Sequence, residues 1–586
     1  MSLVTDMTNG TTGIMKLFLA VCLLALISGC SSDGSNRLAT GSIAVNWSTV
    51  AAKVVASAPA GVITVRVIVS GPGIVPMLQK DFSAKSGSGT IDGVPAGSGR
   101  TVVAQGLDDT ENVRYMGTAT NLSVVAGQAS NAGTIAMIVT STGAFNGNIV
   151  LGTPTNTSIM ANVFSHDQSG TVFIAYGRSP GIYDNQTTPA SVASGNPLEL
   201  TLAGLNANSE YVYRLYFLSS DKTVAGSTDE YSFRTARSSG STFTFCIQGD
   251  SHPERDKNQF DADLYRRTLL TAAADKPDFY IAMGDDFSVD TLDPATVNAA
   301  KVTERYTIQR PYLGLIGRSA PVFLVNGNHE QAARYLLDGT PNNVAVWAQN
   351  ARNSHYSQPA SDGFYSGNTE QVTYIGLLRN HFAWTWGDAL FVVIDPYWGS
   401  PYCVDNSFYA DSKRSNLWDI THGDAQYQWL KTTLEQSKAK YKFVFAHHVM
   451  GTGRGGIELA GQYEWGGLNG KGLWEFLAYR PNWALPIHQL MAANHVTIFF
   501  QGHDHIWAKQ QLDGVIYQTL PEPADPFYTL YNSDAFLTGD KFPNTGYTRV
   551  TVSPSAVKVD YVRTWLPKDE GTGKISGATA FSYLTP

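Results

Sequence analysis

Charge is scarce in this chain. Of 586 residues only 15% are Asp, Glu, Lys or Arg, against roughly a quarter in an ordinary soluble protein. The surface must therefore be built largely from Ser, Thr, Asn and Gly. The net charge is −8 and no run of Lys or Arg occurs, so no nucleic-acid-binding surface is evident, because phosphate backbones are held by basic patches. Internal repeats and low-complexity tracts are absent too. The apolar run 17–27 is too short to span a bilayer comfortably, and no other segment is long enough. Cysteine is nearly missing, with four in all. What the chain does have is length and apolar content: 43% of its residues are hydrophobic, enough for several cores, and the length suggests about three or four domains.

At the start, Lys16 precedes the apolar run 17–27, which ends in Ile27-Ser28-Gly29-Cys30. A short apolar stretch after a positive charge reads as a secretory signal. Its end resembles a bacterial lipobox, which implies cleavage before Cys30 and acylation of the Cys30 thiol. The expected product is an exported protein, anchored by lipid to a bacterial membrane and facing the periplasm or the cell surface. Ser31 rather than Asp follows the cysteine, which points to the outer membrane of a Gram-negative cell. Cys22 leaves with the signal. Cys246 and Cys403 remain; an oxidising compartment allows them to pair, and a buried free thiol is the preferred reading for Cys246.

The domain plan follows from pattern. Residues 1–30 are the signal peptide and 31–38 a polar tether. Short alternating or apolar runs at 42–47, 63–70, 100–106 and 122–125, separated by Gly, Pro and Asp-Gly turns, predict a β-sandwich at 39–139. After a small polar linker, runs at 158–165, 172–176, 198–202, 210–218 and 230–235 predict a second all-β domain at 144–236. Its L-x-x-L-x-x-x-x-x-Y stretch, Leu202 to Tyr211, and its closing Tyr231-Ser232-Phe233-Arg234-Thr235 resemble fibronectin type III modules, in particular the sandwich that precedes the catalytic domain of purple acid phosphatases. From 243 to 566 the pattern changes. Runs apolar on both faces, at 243–247, 279–283, 322–325, 390–394, 443–446 and 496–500, alternate with helical stretches at 259–274, from about Pro294 with Asp293 as cap, and after Asp424. That is an α/β layered domain. Residues 567–586 are set apart as a C-terminal tail.

Five of the six apolar runs lead straight into residues that bind metals: Gly249-Asp250-Ser251-His252, Gly284-Asp285-Asp286, Gly327-Asn328-His329-Glu330, His447-His448 and Gly502-His503-Asp504-His505. Sites in α/β sheets form beyond the carboxyl ends of strands, where all five sit. Carboxylate and imidazole together suit zinc, iron or manganese. A single such motif is commonly a turn or a cap; five in this order are not explained that way.

The order D-x-H, GD, GNHE, H, GHxH resembles the calcineurin-like metallophosphoesterase superfamily, over about 243–562. The resemblance implies an α/β (α+β) four-layer β-sandwich flanked by helices, behind two N-terminal all-β sandwiches. It implies two divalent or trivalent metal ions (Fe, Mn or Zn). The first would take Asp250, His252, Asp285 and His505. The second would take Asp285, Asn328, His447 and His503, with His448 the fallback for His447. Asp285 bridges. A hydroxide activated by the two ions would attack phosphorus, His329 would contact substrate and protonate the leaving oxygen, and Glu330 would support the loop. Where purple acid phosphatases carry the tyrosine of GDxxY, this chain has Ser288, and it has His252 where they have none, so a colourless centre is expected. Asn328, His329 and Arg454 are candidate substrate-binding residues. Arg352, His355, Tyr463 and Trp465, on the long segments 350–376 and 452–472, are candidates to line the pocket. The function expected is hydrolysis of phosphate esters; a strict diesterase on nucleotides or lipid headgroups, and a surface adhesion protein with an inactive hydrolase domain, stay open beside it.

Overall fold

The computed structural model describes residues 39–49, 62–111, 113–139, 145–218, 224–405, 414, 416–449 and 453–586; the signal, the tether and Cys30 lie outside them. In 39–139, seven strands run edge to edge in the order Leu78–Ser83, Thr64–Ser70, Gly97–Leu107, Val113–Val124, Ala129–Val139, Thr40–Thr49, Ser88–Pro95. They enclose a core of Ile43, Val45, Trp47, Val65, Val67 and Val102. Three of these strands, Leu78–Ser83, Ser88–Pro95 and Ala129–Val139, escaped the sequence reading because polar residues and glycines interrupt their apolar pattern. The next domain faces a three-stranded sheet (Pro197–Ala203, Ser158–Ser165, Gly147–Gly152) with a sheet built on Gly170–Gly177 and Glu210–Leu218. Leu202, Leu205 and Tyr211 from the L-x-x-L…Y stretch are buried in its core. The Tyr211 hydroxyl accepts from the Asn206 amide at 2.9 Å, the corner that such sandwiches use to pin a crossover.

The largest domain is four layers deep. Its first sheet runs Val322–Leu324, Phe279–Ala282, Phe243–Gln248, Gly546–Val552, Val557–Arg563, Thr579–Thr585. Its second has Phe382–Trp386, Ala389–Val393, Tyr441–Phe445, Ile498–Gln501 and Val515–Thr519 at its centre. Between them lies an aromatic core that includes Phe245, Phe279, Phe323, Trp384, Phe391, Phe443 and Phe500. Helices Ala262–Ala274, Ala299–Gly317 and Val344–His355 cover the outer face of the first sheet, and Asp424–Gln436 and Ile487–Ala493 that of the second. Both faces of the central strands are thus dry, which is why these strands read as unbroken apolar runs: Phe245 and Ile247 point to the inner core, Cys246 to the helices.

Two boundaries differ from the sequence reading. The helix expected near Pro294 begins at Ala299, capped by Asn298, whose side chain accepts from the Lys301 amide; Asp293 instead accepts from the Ala295 amide at 2.9 Å, in a turn. The supposed tail, 567–586, carries strand Thr579–Thr585, which pairs with Val557–Arg563. Phe581 lies 5.3 Å from the Trp507 ring, and this alternating aromatic face is the reason the sheet extends so far.

Strand Gly147–Gly152 of the second sandwich is buried along its whole length. Ile149 and Leu151 enter their own core, while Val150 packs among the helices of the largest domain. Gly314 on helix Ala299–Gly317 permits this contact, since a Cβ there would sit 3.2 Å from that of Asn148. Beside it Arg310, fully buried, donates to Asn148 Oδ1 at 2.8 Å, to Asn162 Oδ1 and the Asn162 carbonyl at 2.9 Å, and to the His355 carbonyl at 2.5 Å. Replacing it leaves several buried acceptors without a donor, each costing about 1–3 kcal/mol. Arg310→Met should therefore lower stability by about 3 kcal/mol or more, read as a reduced denaturant midpoint; an unchanged midpoint would refute the clamp.

Candidate metal centre

The carboxyl ends of the strands from both sheets meet at one edge of the aromatic core. Each strand there turns at once into a loop that carries donors. The turns are tight: His252, Asp285, His503 and His505 all have positive φ, between 45° and 67°, a region that side chains other than glycine enter only under local constraint. Gly327 lets the GNHE loop press against the GDD loop, since a Cβ there would stand 2.2 Å from Asp285 Oδ1. Glu330 straps the two loops together. It accepts from the amides of Asp286 at 2.8 Å, Phe287 at 3.2 Å and Gly327 at 2.6 Å.

The seven expected ligands come together. Asp250, His252 and His505 form one group, Asp250, Asp285 and His447 another, each with donor atoms within 4.8 Å of one another. Asp250 Oδ2 is 3.0 Å from His505 Nε2 and 3.8 Å from His252 Nε2. Asp285 Oδ2 and Asn328 Oδ1 each lie 3.0 Å from His447 Nε2. His503 belongs to a group with His447 and His448. Of the adjacent pair, His447 meets Asp285 and Asn328. His448 stacks on His503 at 4.1 Å, with Nδ1 3.2 Å from the Tyr397 hydroxyl.

Each ring is held from behind. His447 Nδ1 lies 2.7 Å from the Met283 carbonyl. His252 Nδ1 lies 3.0 Å from Glu254 Oε1, His505 Nδ1 3.1 Å from Glu522 Oε1, and His503 Nε2 3.5 Å from Asp405 Oδ2. An acceptor behind an imidazole places the proton on that side and leaves the other nitrogen as a lone pair aimed inward. The inward atoms are then acceptors facing acceptors. His252 Nε2 and His503 Nδ1 are buried with no hydrogen-bond partner. Such a set is stable only around positive charge. In the protein alone, protons must supply it: burial opposes a charged His447 ring, yet Asp285 and Asp250 push its pKa up to about 10. Burial also opposes charge on Asp285, but His329 and His447 hold it well below the usual carboxylate range. Around them burial lifts Glu330 and Asp504 to about 7. The residues present thus fit a pair of bound cations.

His329 is the more open of the rings, with Nδ1 2.7 Å from Asp290 Oδ2 and Nε2 3.6 Å from Asp285 Oδ2. Ser288 Oγ lies 3.4 Å from His252 Nδ1. Arg454 reaches the rim, where its guanidinium donates to the His503 carbonyl. Three pocket candidates are corrected. Arg352 is buried and donates to the Leu324 carbonyl at 2.8 Å. His355 lies between domains, its ring 5.9 Å from Phe164. Trp465 is buried in the second sheet's outer core and donates to the Tyr517 hydroxyl at 3.0 Å. Tyr463 packs on Trp418 at 5.6 Å. Long loops drew attention to these residues, but their side chains return to the core. Sequence reasoning missed Glu254, Asp405, Glu522 and Arg255. For Glu522 a signal existed: it follows strand Val515–Thr519 just as the ligands follow theirs.

Residues 243–507 match the family described as calcineurin-like phosphoesterase. This segment is a calcineurin-like phosphoesterase domain. The family is one of enzymes that use a binuclear metal centre, and the ligand geometry above suits it. Two solved structures share the fold of this chain. The structure of PhoD is 13% identical with a TM-score of 0.54, over 76% of this chain and 91% of that one. A purple acid phosphatase from yellow lupin (Lupinus luteus) seeds is 14% identical with a TM-score of 0.50, over 93% of this chain and 96% of that one. No curated protein matches the sequence. Cys246 is a buried thiol in its strand, and the Cys403 Sγ donates to the Asp405 carbonyl at 3.5 Å.

The close approach at Gly327 yields a specific expectation. Gly327→Ala must push Asp285 aside, so the folded variant should bind at least about tenfold less metal, measured by elemental analysis after equilibration with manganese or zinc. Full metal content would show that the contact can relax.

Proposed function

We propose that the chain is an exported, lipid-anchored phosphoesterase that hydrolyses phosphate esters at the cell surface or in the periplasm. The observation that carries the hydrolytic reading is the inward-facing acceptor set in which Asp285 groups with Asp250 and His447 on one side and with His252 and His329 on the other. Asp250, His252, Asp285 and His505 would hold one ion, and Asp285, Asn328, His447 and His503 the other. The ions would supply positive charge for phosphoryl oxygens and lower the pKa of water at neutral pH.

The rest of the work falls to the chain. Glu330 keeps the Asp285 and Asn328 loops in register. Met283, Glu254, Asp405 and Glu522 keep four imidazoles aimed inward, so little reorganisation is needed when charge develops. His329, tied through Nδ1 to Asp290, turns Nε2 to the open side and donates a proton to the leaving oxygen. The aromatic core and the buried strand ends keep bulk water out from behind the site, which strengthens each of these interactions.

Turnover of a chromogenic phosphomonoester and of its diester analogue, by protein lacking residues 1–30, tests this reading. Metal-dependent hydrolysis is expected with manganese, iron or zinc, and Asp285→Asn should lower it by at least about a thousandfold, or ~4 kcal/mol in the barrier. Turnover of the diester alone would assign a strict diesterase. No turnover of either ester by folded, metal-loaded protein would favour a binding role.

The export proposal rests on the apolar run 17–27 and its Ile27-Ser28-Gly29-Cys30 end. In a bacterial host, labelled fatty acid should enter the wild-type protein and not Cys30→Ser, which should leave the detergent phase. Equal labelling of both would discard the lipobox.

A further inference from the structure

Arg255 stands three residues beyond His252 and belongs to neither donor group. Its backbone is fixed by a tight turn: its amide donates to the His252 carbonyl at 2.9 Å, and its carbonyl accepts from the amides of Asn258, Gln259 and Phe260 at 2.9–3.2 Å. Two parts of the guanidinium are anchored as well. Nε lies 3.3 Å from Glu254 Oε1, and Nη1 donates to Gln259 Oε1; Gln259 in turn reaches His505 Nδ1 at 3.4 Å. The third nitrogen, Nη2, has no carboxylate of its own within that cluster. It points at His329 Nε2, 3.3 Å away, the atom that faces the open side of the metal centre. The side chain is 25% exposed, so this edge is reachable from solvent.

A guanidinium fixed 3.3 Å from the ring that faces the open side offers its permanent charge to an oxyanion entering beside His329. We propose that Arg255 Nη2 and His329 Nε2 form a subsite for a non-bridging phosphoryl oxygen, and that this subsite selects the dianionic phosphate of a monoester over a diester. The proposal rests on the phosphoesterase reading and narrows its substrate class. A monoester presents three non-bridging oxygens and a second negative charge. A diester replaces one of those oxygens with a substituted one that carries no charge and adds bulk. The planar fork of Arg255, held at Nε and Nη1, has one edge left for a single anionic oxygen, the geometry that makes arginine selective for phosphate.

Arg255→Gln and Arg255→Lys separate this role from a structural one. With metal-loaded protein, Arg255→Gln should raise KM for the monoester by about tenfold or more while kcat changes less than about threefold, and leave diester KM unaltered; Arg255→Lys should fall between. Calorimetric titration with inorganic phosphate gives a second readout, independent of turnover. The Kd should rise by about tenfold or more in Arg255→Gln, with metal content equal to wild type. Phosphate binding that depends on Arg255 in a protein that hydrolyses neither ester would uphold the subsite and reject the hydrolytic reading. An unchanged phosphate Kd, an equal fall in kcat/KM for both esters, or loss of metal from both variants would overturn the proposal.

Discussion

The structure depends on one electrostatic constraint: a buried cluster of acceptor atoms that only positive charge can neutralise. Asp250, Asp285, Asn328 and four imidazole lone pairs converge where water cannot solvate them. Burying that set without cations or protons costs far more than a domain's net stability. The second ring of carboxylates makes the demand stronger. Burial pushes Asp286 and Glu522 well above the ordinary carboxylate range. Fold and chemistry are therefore coupled at this point: what the site needs to be stable is also what attracts an anionic substrate.

Holding the cluster together takes most of the largest domain. Two sheets bring their strand ends to one edge, and the aromatic core keeps them from sliding. The left-handed turns at His252, Asp285, His503 and His505 store local strain that the surrounding packing must oppose. Glu330 does part of that with three amide hydrogen bonds. Gly327 does another part by having no side chain. Neither residue touches the space where ions would sit, yet both set its dimensions.

The second sandwich is joined to the same framework. Helix Ala299–Gly317 places Arg310 against Asn148 and Asn162 of the sandwich, while the preceding residue, Gln309, donates to Ser251 Oγ at 2.6 Å and to the Asp286 carbonyl at 2.8 Å. Ser251 lies between Asp250 and His252. One turn of one helix thus ties the sandwich to the D-x-H loop, so this domain is part of the scaffold of the site.

Much of this was legible along the chain. The apolar runs marked the buried strands, because burial on both faces removes polar residues from them, and the residues at the run ends marked the ligands, because strand ends and donor types are local properties. The strand 210–218 and the tyrosine corner could be read for the same reason. Three strands of the first domain could not, since their pairing is decided by neighbours distant in sequence. Nor could the fate of loop residues. Arg352 and Trp465 resembled pocket residues in a long loop, and only packing shows their side chains turned into the core. Glu254, Asp405 and Glu522 come from three separate segments and acquire their role only when each meets the back of an imidazole. Donor identity is written in the sequence because it is chemistry carried by single residues. The orientation of every ring, the choice of His447 over His448 to meet Asp285, and the position of Arg255 beside His329 belong to tertiary structure, because each depends on atoms brought together from loops that the sequence keeps apart.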